Sequence, residues 1–136
     1  MQDHTKLVVW QRARSLTVAI NEACRAIRRG DAPGLRAQLM RAAMSISSTI
    51  AEGAGRDTRP DFARFVSMAI SSASEVEHHL TVCGDLGVID SVIAERLIDR
   101  VVDIRKMLFG LRRALIDKDV QERAVRGPTG VQRTQD

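Results

Sequence analysis

The chain has 136 residues, which is enough for one hydrophobic core and too few for two domains. Aromatic residues make up 3% of it and tyrosine does not occur, a composition that disfavours β-sandwiches and barrels and favours helices. The net charge is +4, and residues 1–51 supply it with eight basic and three acidic side chains, a balance that can attract phosphate groups.

Apolar residues recur at steps of four and three along four segments, which is the period of an amphipathic helix. The first predicted helix covers about residues 7–29, and its apolar stripe is Val9, Ala13, Leu16, Ile20, Ala23 and Ile27. The second covers about 33–54. It starts at Pro33, which suits the first turn of a helix, and it ends where Gly53 and Gly55 interrupt the pattern.

The third predicted helix covers about 58–84, with Thr58 as its N-cap and Asp61 three residues later as a weak capping box. The fourth covers about 90–117 and opens at Asp90 or Ser91, both of which are good N-caps. Residues 118–136 lose the apolar period and gain Gly, Pro, Thr and Gln, so we expect a disordered tail there.

Connections of a few residues make sequential helices antiparallel. The sequence therefore predicts an all-α, single-domain, antiparallel up-and-down four-helix bundle over residues 1–117. Apolar residues of the second and third helices are expected to point away from the main stripe: Met40, Met44, Val66, Met68 and Ile70. A second apolar face predicts a homo-oligomer, and the alternative is one wide stripe inside a single bundle.

The chain offers no constellation typical of catalysis, and we expect neither an enzyme nor a cofactor. Glu75 and His78 have the spacing of the carboxylate-histidine motif of di-iron bundles, but Glu95 is followed three residues later by Ile98, so no second copy exists. One half of a motif predicts a solvated helix face and no metal site. Serines are frequent, but no Gly-x-Ser-x-Gly sequence or triad accompanies them.

The basic residues of the first half give the main functional hypothesis. Six arginines are candidates for binding RNA or DNA: Arg14, Arg25, Arg28, Arg29, Arg36 and Arg41. Several of them fall near the junction of the first two helices and are expected to gather at one end of the bundle. Without interleaved aromatic residues, binding would be to phosphate, with little sequence specificity and strong salt dependence. The alternative is a solvated helix face.

The segment Glu52-Gly53-Ala54-Gly55-Arg56 reads as a structural motif. It follows a helix and contains no lysine, so it does not fit a phosphate-binding loop. Gly53 and Gly55 are expected to end the second helix, to permit a positive φ and to allow close packing. Glu52 and Arg56 are spaced to form an ion pair that is buried or lies in an interface and fixes the turn.

The two cysteines, Cys24 and Cys83, continue apolar stripes and are expected to be buried thiols of a reducing compartment. The polar N-terminus predicts no signal peptide, and no apolar run reaches the length of a membrane span. These observations predict a cytoplasmic protein without a membrane partner.

Several phrases of the chain resemble one family of small bacterial helical proteins. They are Leu7-x-Val9-Trp10-Gln11-x-Ala13, the whole of 35–56 (LRAQLMRAAMSISSTIAEGAGR), Phe62-x-x-Phe65-Val66-x-x-Ala69-x-Ser71-Ser72-x-x-Glu75, Leu86-Gly87 before Asp90, and Met107-Leu108-x-x-Leu111. About 110 residues resemble the four-helix bundle proteins of intervening sequences in bacterial 23S rRNA genes. Two departures are Thr49 in place of the usual Asn, and Ser71-Ser72 in place of Gly-Ser.

The resemblance implies a four-helix bundle that assembles as a ring of five and has no enzyme activity. Relatives include accessory proteins of diversity-generating retroelements, which are basic pentameric barrels that bind nucleic acid and a reverse transcriptase. The leading hypothesis is therefore a homo-oligomeric nucleic-acid-binding scaffold. The alternative is a protein–protein assembly module with a protein partner and no nucleic-acid role.

Overall fold

The computed structural model describes residues 2–25, 27 and 34–127. Within these ranges the chain forms a short 3₁₀ turn at His4–Lys6 and four helices: α1 (Val8–Cys24), α2 (Leu35–Ala54), α3 (Arg59–Asp85) and α4 (Ser91–Arg126). The same ranges contain no β-strand, so the predicted all-α class is confirmed.

The helices pack in a closed cycle, in which each contacts its neighbours in sequence and α1 also contacts α4. Hydrogen bonds show that α3 and α4 run antiparallel. Arg105 Nη1 of α4 lies 3.4 Å from Ser74 Oγ of α3. Seven residues later on α4, Arg112 Nη1 lies 3.1 Å from Ser67 Oγ, which comes seven residues earlier on α3. The predicted up-and-down four-helix bundle is therefore confirmed, and each pair of neighbouring helices forms a groove on its surface.

The core lies along the axis of the bundle, and every helix contributes to it. Its largest fully buried side chains are aliphatic: Leu16, Ile20, Leu39, Ile46, Ile50, Val66, Val76, Leu80, Val101, Ile104 and Leu108. The predicted stripe of α1 is confirmed as far as Ile20, beyond which Cys24 is buried and Ala23 and Ile27 are only partly covered. On α4, Ala94 is buried and the neighbouring Ile93 is 44% exposed.

Side-chain caps start the last two helices as the sequence predicts. Thr58 accepts a hydrogen bond from the Asp61 N–H at 3.2 Å, and Pro60 occupies the first turn of α3. The Asp61 carboxylate bonds Arg64 instead of completing a capping box. Asp90 accepts from the amides of Val92 and Ile93, so it is the N-cap of α4.

The predicted end of the first helix is wrong, because α1 ends at Cys24 and not at Arg29. Arg25 is its C-cap, and Ile27 is not helical. Residues 26 and 28–33 lie outside the described part of the chain, and so do the expected helix terminator Gly30 and the expected starting residue Pro33. The described N-cap of α2 is Gly34, at φ 82°.

The predicted disordered tail is wrong between residues 118 and 126, because α4 continues to Arg126. This segment keeps helix-forming residues although its apolar period is lost. Ion pairs compensate: Asp119 binds Arg123 one turn later at 3.0 Å, and Glu122 pairs with Arg59 of α3. Gly127, at φ 70°, follows the last helical residue. Residues 128–136 lie outside the described range.

The expected second apolar face of α2 and α3 is only partly present. Val66 and Ile70, which were expected to point outward, are buried within the bundle. Both residues lie next to the main apolar stripe of α3, and they face the neighbouring helices. The core face of α3 is therefore wider than one stripe. Met44 and Met68 are exposed, as expected, and Met40 is partly buried against the core.

Candidate nucleic-acid interface

Four of the six candidate arginines lie in the described part of the chain: Arg14, Arg25, Arg36 and Arg41, all of which are exposed. Arg28 and Arg29 lie outside it. Exposure keeps these guanidinium groups hydrated and available to a phosphate, which they can bind through two parallel hydrogen bonds.

Arg25 and Arg36 lie at the same end of the bundle, where α1 ends and α2 begins. Burial raises the pKa of the Cys24 thiol, and the positive charge of Arg36 opposes that rise. Arg25 is partly compensated by Glu22, whose Oε1 lies 3.7 Å from its Nη1. The expected grouping at one end therefore holds for this pair.

Arg14 lies apart from that pair, and Arg41 lies five residues after Arg36 on α2. Arg14 lies about three turns before the end of α1, and its guanidinium carbon lies 5.7 Å from the centroid of the Trp10 ring. The ring of His4 contacts the same ring edge-on, with the two centroids 4.9 Å apart. Arg41 borders an open hollow of about 390 Å³ between α2 and α3, which is lined by Gln38, Arg41, Ala42, Ser45, Glu75 and His79. The expected grouping therefore does not extend to Arg14, which lies ten residues before the end of α1.

The hollow beside Arg41 exists because small residues face each other across α2 and α3. The hydroxyl oxygens of Ser45 and Ser72 lie 2.9 Å apart, so the two backbones approach closely there. Glu75 and His79 lie on its rim, and in the described ranges they belong to no group of three or more metal-ligating side chains. The lining of the hollow offers a guanidinium, an amide, one hydroxyl, a carboxylate and an imidazole to a ligand.

The corner between α2 and α3 explains the Glu52–Arg56 segment. Gly53 faces two phenylalanines so closely that an added Cβ would lie 2.6 Å from the Cβ of Phe65 and 2.9 Å from Cδ1 of Phe62. This confirms the predicted close packing. The expected positive φ is wrong: Gly55 has φ −82° and caps α2 in an ordinary helical conformation.

The expected Glu52–Arg56 ion pair is present, but within this chain it is not buried, and its place in an interface stays a prediction. The two groups lie 3.7 Å apart, and their side chains are 61% and 41% exposed. Arg56 also stacks on Phe65, with its guanidinium carbon 4.5 Å from the ring centroid. Arg64 approaches the same ring at 4.7 Å, and Asp61 lies 3.7 Å from Arg56 and 2.9 Å from Arg64. The contact with the aromatic ring anchors Arg56 at this corner.

These contacts predict different effects for the two partners. Glu52→Gln should change the free energy of unfolding by less than about 0.5 kcal/mol, because exposed ion pairs contribute little. Arg56→Ala should cost about 1 kcal/mol, because it also removes the stack on Phe65. Urea denaturation of both variants checks this. Equal losses would show that the ion pair, and not the stack, stabilises the corner.

A second basic group lies on α4, and a charge balance summed over long segments does not reveal it. Arg105, Lys106, Arg112 and Arg113 lie in the middle of α4 around the half-exposed Phe109. Glu77 neutralises Arg105 through two contacts of 3.0 and 3.3 Å. Arg112 stacks over Phe109 at 4.9 Å. The seven-residue repeat Val102, Phe109 and Ile116 is the sequence signal that identifies this face.

The fold and the sequence phrases can be compared with known proteins. The family described as 23S rRNA-intervening sequence protein matches residues 5–110, which cover most of the chain. The chain belongs to this family. The match includes α1, α2, α3 and the first 20 of the 36 residues of α4, and it ends before the segment of α4 that extends past the predicted end. Membership therefore applies to the bundle as a whole.

A solved structure supports the fold of this family member. It is the crystal structure of a protein of unknown function from the S23 ribosomal protein family of Bacteroides thetaiotaomicron. The two chains are 22% identical, with a TM-score of 0.72, and the match covers 77% of this chain and 98% of the other. A comparison with curated proteins found no match. At this identity the likeness establishes the helical architecture alone.

None of the helices within the described ranges has an apolar stretch that would cross a bilayer.

Proposed function

We propose that this family member is a non-enzymatic, homo-oligomeric scaffold of the cytoplasm that binds RNA or DNA through its phosphates. The observation that carries the proposal is that three exposed arginines lack a nearby carboxylate. In the described part of the chain, Arg14, Arg36 and Arg41 have no carboxylate within 4.0 Å, whereas Arg25 has one. Guanidinium groups without a carboxylate partner attract phosphate, and each contact releases a counterion.

The arrangement favours backbone contacts over base reading. Trp10 is partly buried and already contacts His4 and Arg14, so little aromatic surface is left on α1 for stacking bases. The arginines lie on helix surfaces and in an open hollow, where they can reach phosphates but fix no register on base edges. The family's description refers to 23S rRNA, which makes structured RNA the first probe.

Assembly would strengthen this binding. The resemblance of the sequence implies a ring of five copies, and a ring repeats each arginine at regular intervals along a polyanion. Several weak contacts then act at a high effective concentration, and the overall affinity exceeds that of one copy. The oligomeric state can be measured by size-exclusion chromatography with light scattering, since one copy has a mass of 15.0 kDa.

A salt titration with a charge-matched control tests the proposal. We expect the chain to bind a structured RNA hairpin and duplex DNA at about 50 mM salt and to lose the affinity steeply by about 300 mM. The variant R14A/R36A/R41A should bind about tenfold to hundredfold more weakly, and its log–log salt slope should be smaller by about 2 to 3. The control R96A/K118A/R126A removes three exposed cations elsewhere on the bundle.

The control separates a site from general basicity. Equal losses in both triple variants would contradict the proposed arginines, because only net charge would then matter. Absence of binding to either nucleic acid at low salt would contradict the proposed function and favour the protein–protein assembly module. Exposed apolar side chains such as Val18 and Met44 make that module the second candidate, since such surfaces commonly contact another protein.

A further inference from the structure

α4 carries a second apolar stripe that nothing in residues 2–25, 27 and 34–127 covers fully. Its core face is buried against α1 and α3, whereas on the flank beyond α3 lie Ile98, Val102, Phe109, Ile116 and Val120, which we call the outer stripe. Phe109, Ile116 and Val120 are 46%, 48% and 59% exposed, and Ile98 and Val102 are partly buried. Steps of four and seven keep all five on one side of a helix.

The outer stripe is symmetric about Phe109. Val102 and Ile116 lie seven residues to either side of it, and Ile98 and Val120 lie eleven residues to either side. When two copies of such a helix pack antiparallel with Phe109 against Phe109, every apolar position meets an apolar position. A two-fold contact needs this property, because the same patch must complement itself.

We propose that the outer stripe packs antiparallel against the outer stripe of a second copy, across a two-fold axis at Phe109. The contact would be one interface of the homo-oligomer described under the proposed function, and it rests on the proposal that the protein is a homo-oligomer. A two-fold contact pairs copies and cannot close a ring of five by itself. The contact would therefore join two bundles, or two rings, through α4.

The size of the stripe predicts a weak contact. From Ile98 to Val120 it is about 33 Å long, at 1.5 Å per residue. One exposed strip of a helix of about 10 Å diameter offers a few hundred Å² per copy, whereas a typical stable interface buries about 800 Å² per partner. Association should therefore depend on concentration, with the weight-average mass rising between about 5 and 200 micromolar.

Charge gives the contact a specific salt dependence. Across the two-fold axis each edge of the stripe meets the same edge of the other copy. Arg105 of one copy then lies within one residue of the level of Arg112 of the other, and Lys106 within one residue of the level of Arg113. In the described chain only Arg105 of these four has a carboxylate within 4.0 Å, namely Glu77. Rows of cations that face each other repel, and added salt screens the repulsion. Salt should thus strengthen this self-association, while it weakens binding to nucleic acid.

Cysteine cross-linking tests the geometry directly. Both native cysteines are buried, so an introduced surface cysteine reports its own contacts. F109C should form a disulfide-linked dimer under mild oxidation at least about tenfold faster than V18C, because only a residue on the two-fold axis meets its own copy. Val18 is the matched control, an exposed apolar residue on α1. A mixture of V102C and I116C should form the mixed dimer faster than either variant alone links to itself.

Sedimentation equilibrium provides the second measurement. F109S/I116S should lower the association constant at least about tenfold relative to V18S, and raising the salt from about 50 to 500 mM should increase that of the unmodified chain. If F109C links no faster than V18C, or F109S/I116S leaves the mass distribution unchanged, the two-fold contact is wrong. The R14A/R36A/R41A variant should still cross-link through F109C. Loss of RNA binding alone therefore contradicts the proposed function and leaves this contact standing.

Discussion

Replacing Gly53 by alanine should destabilise the bundle by about 2 to 3 kcal/mol, although alanine is the better helix former. An added Cβ would lie 2.6 Å from the Cβ of Phe65, a backbone-anchored atom that cannot move without shifting α3. It would also lie 2.9 Å from Cδ1 of Phe62, and both phenylalanines are buried. The overlap exceeds the helix-propensity gain of about 1 kcal/mol. Urea denaturation measures the difference.

Gly110→Ala is the matched control for this substitution. Gly110 also lies inside a helix, and an added Cβ there meets nothing within 4 Å. The exchange should stabilise the protein by about 0.5 to 1 kcal/mol, because it lowers the conformational entropy of the unfolded chain and adds helix propensity. If both variants shift the midpoint in the same direction, close packing at Gly53 does not determine the stability of the α2–α3 corner.

Local sequence chemistry predicted the helices well and their ends unevenly. Thr58 and Asp90 cap α3 and α4 as expected, because a side-chain cap acts within three residues and is visible in the sequence. The predicted end of α4 is wrong because a helix can continue through a segment that has lost its apolar period. The ion pair between Arg59 and Glu122, which joins two helices, is a tertiary contact that periodicity does not report.

The same distinction applies to the candidate sites. The sequence indicates that Gly53 packs closely. It does not indicate that Phe65 is the opposing group, because Phe65 belongs to another helix. For Arg56 the nearest carboxylate in sequence suggested an ion pair, whereas the structure adds an aromatic ring nine residues away. The basic residues of α4 do not stand out in the sequence for a related reason: nearby acidic residues cancel their charge when it is summed over a segment.

The thiol of Cys83 should react about a hundredfold more slowly in the folded protein than in the unfolded chain at about pH 8. Burial, with a smaller contribution from neighbouring Cys24, raises its pKa from 9.0 to about 11. The reactive thiolate is then about a hundredfold rarer. Cys83 is also fully buried at the end of α3, so reagents reach it only when the bundle opens. Reaction with Ellman's reagent, with and without concentrated guanidinium chloride, measures the ratio.

The same shift makes stability depend on pH, and its sign follows from proton binding. Between pH 9 and about 11 the unfolded thiol ionises while the folded one keeps its proton, so the folded state binds more protons there. The free energy of unfolding is therefore unaffected by this group below its unfolded pKa and should fall as the pH rises through that interval. Cys83→Ala should show a shallower fall than the unmodified chain in urea titrations at matched pH values. Parallel falls in the two proteins would show that Cys83 stays ionisable when folded, which is incompatible with its place in a dry, closely packed bundle core.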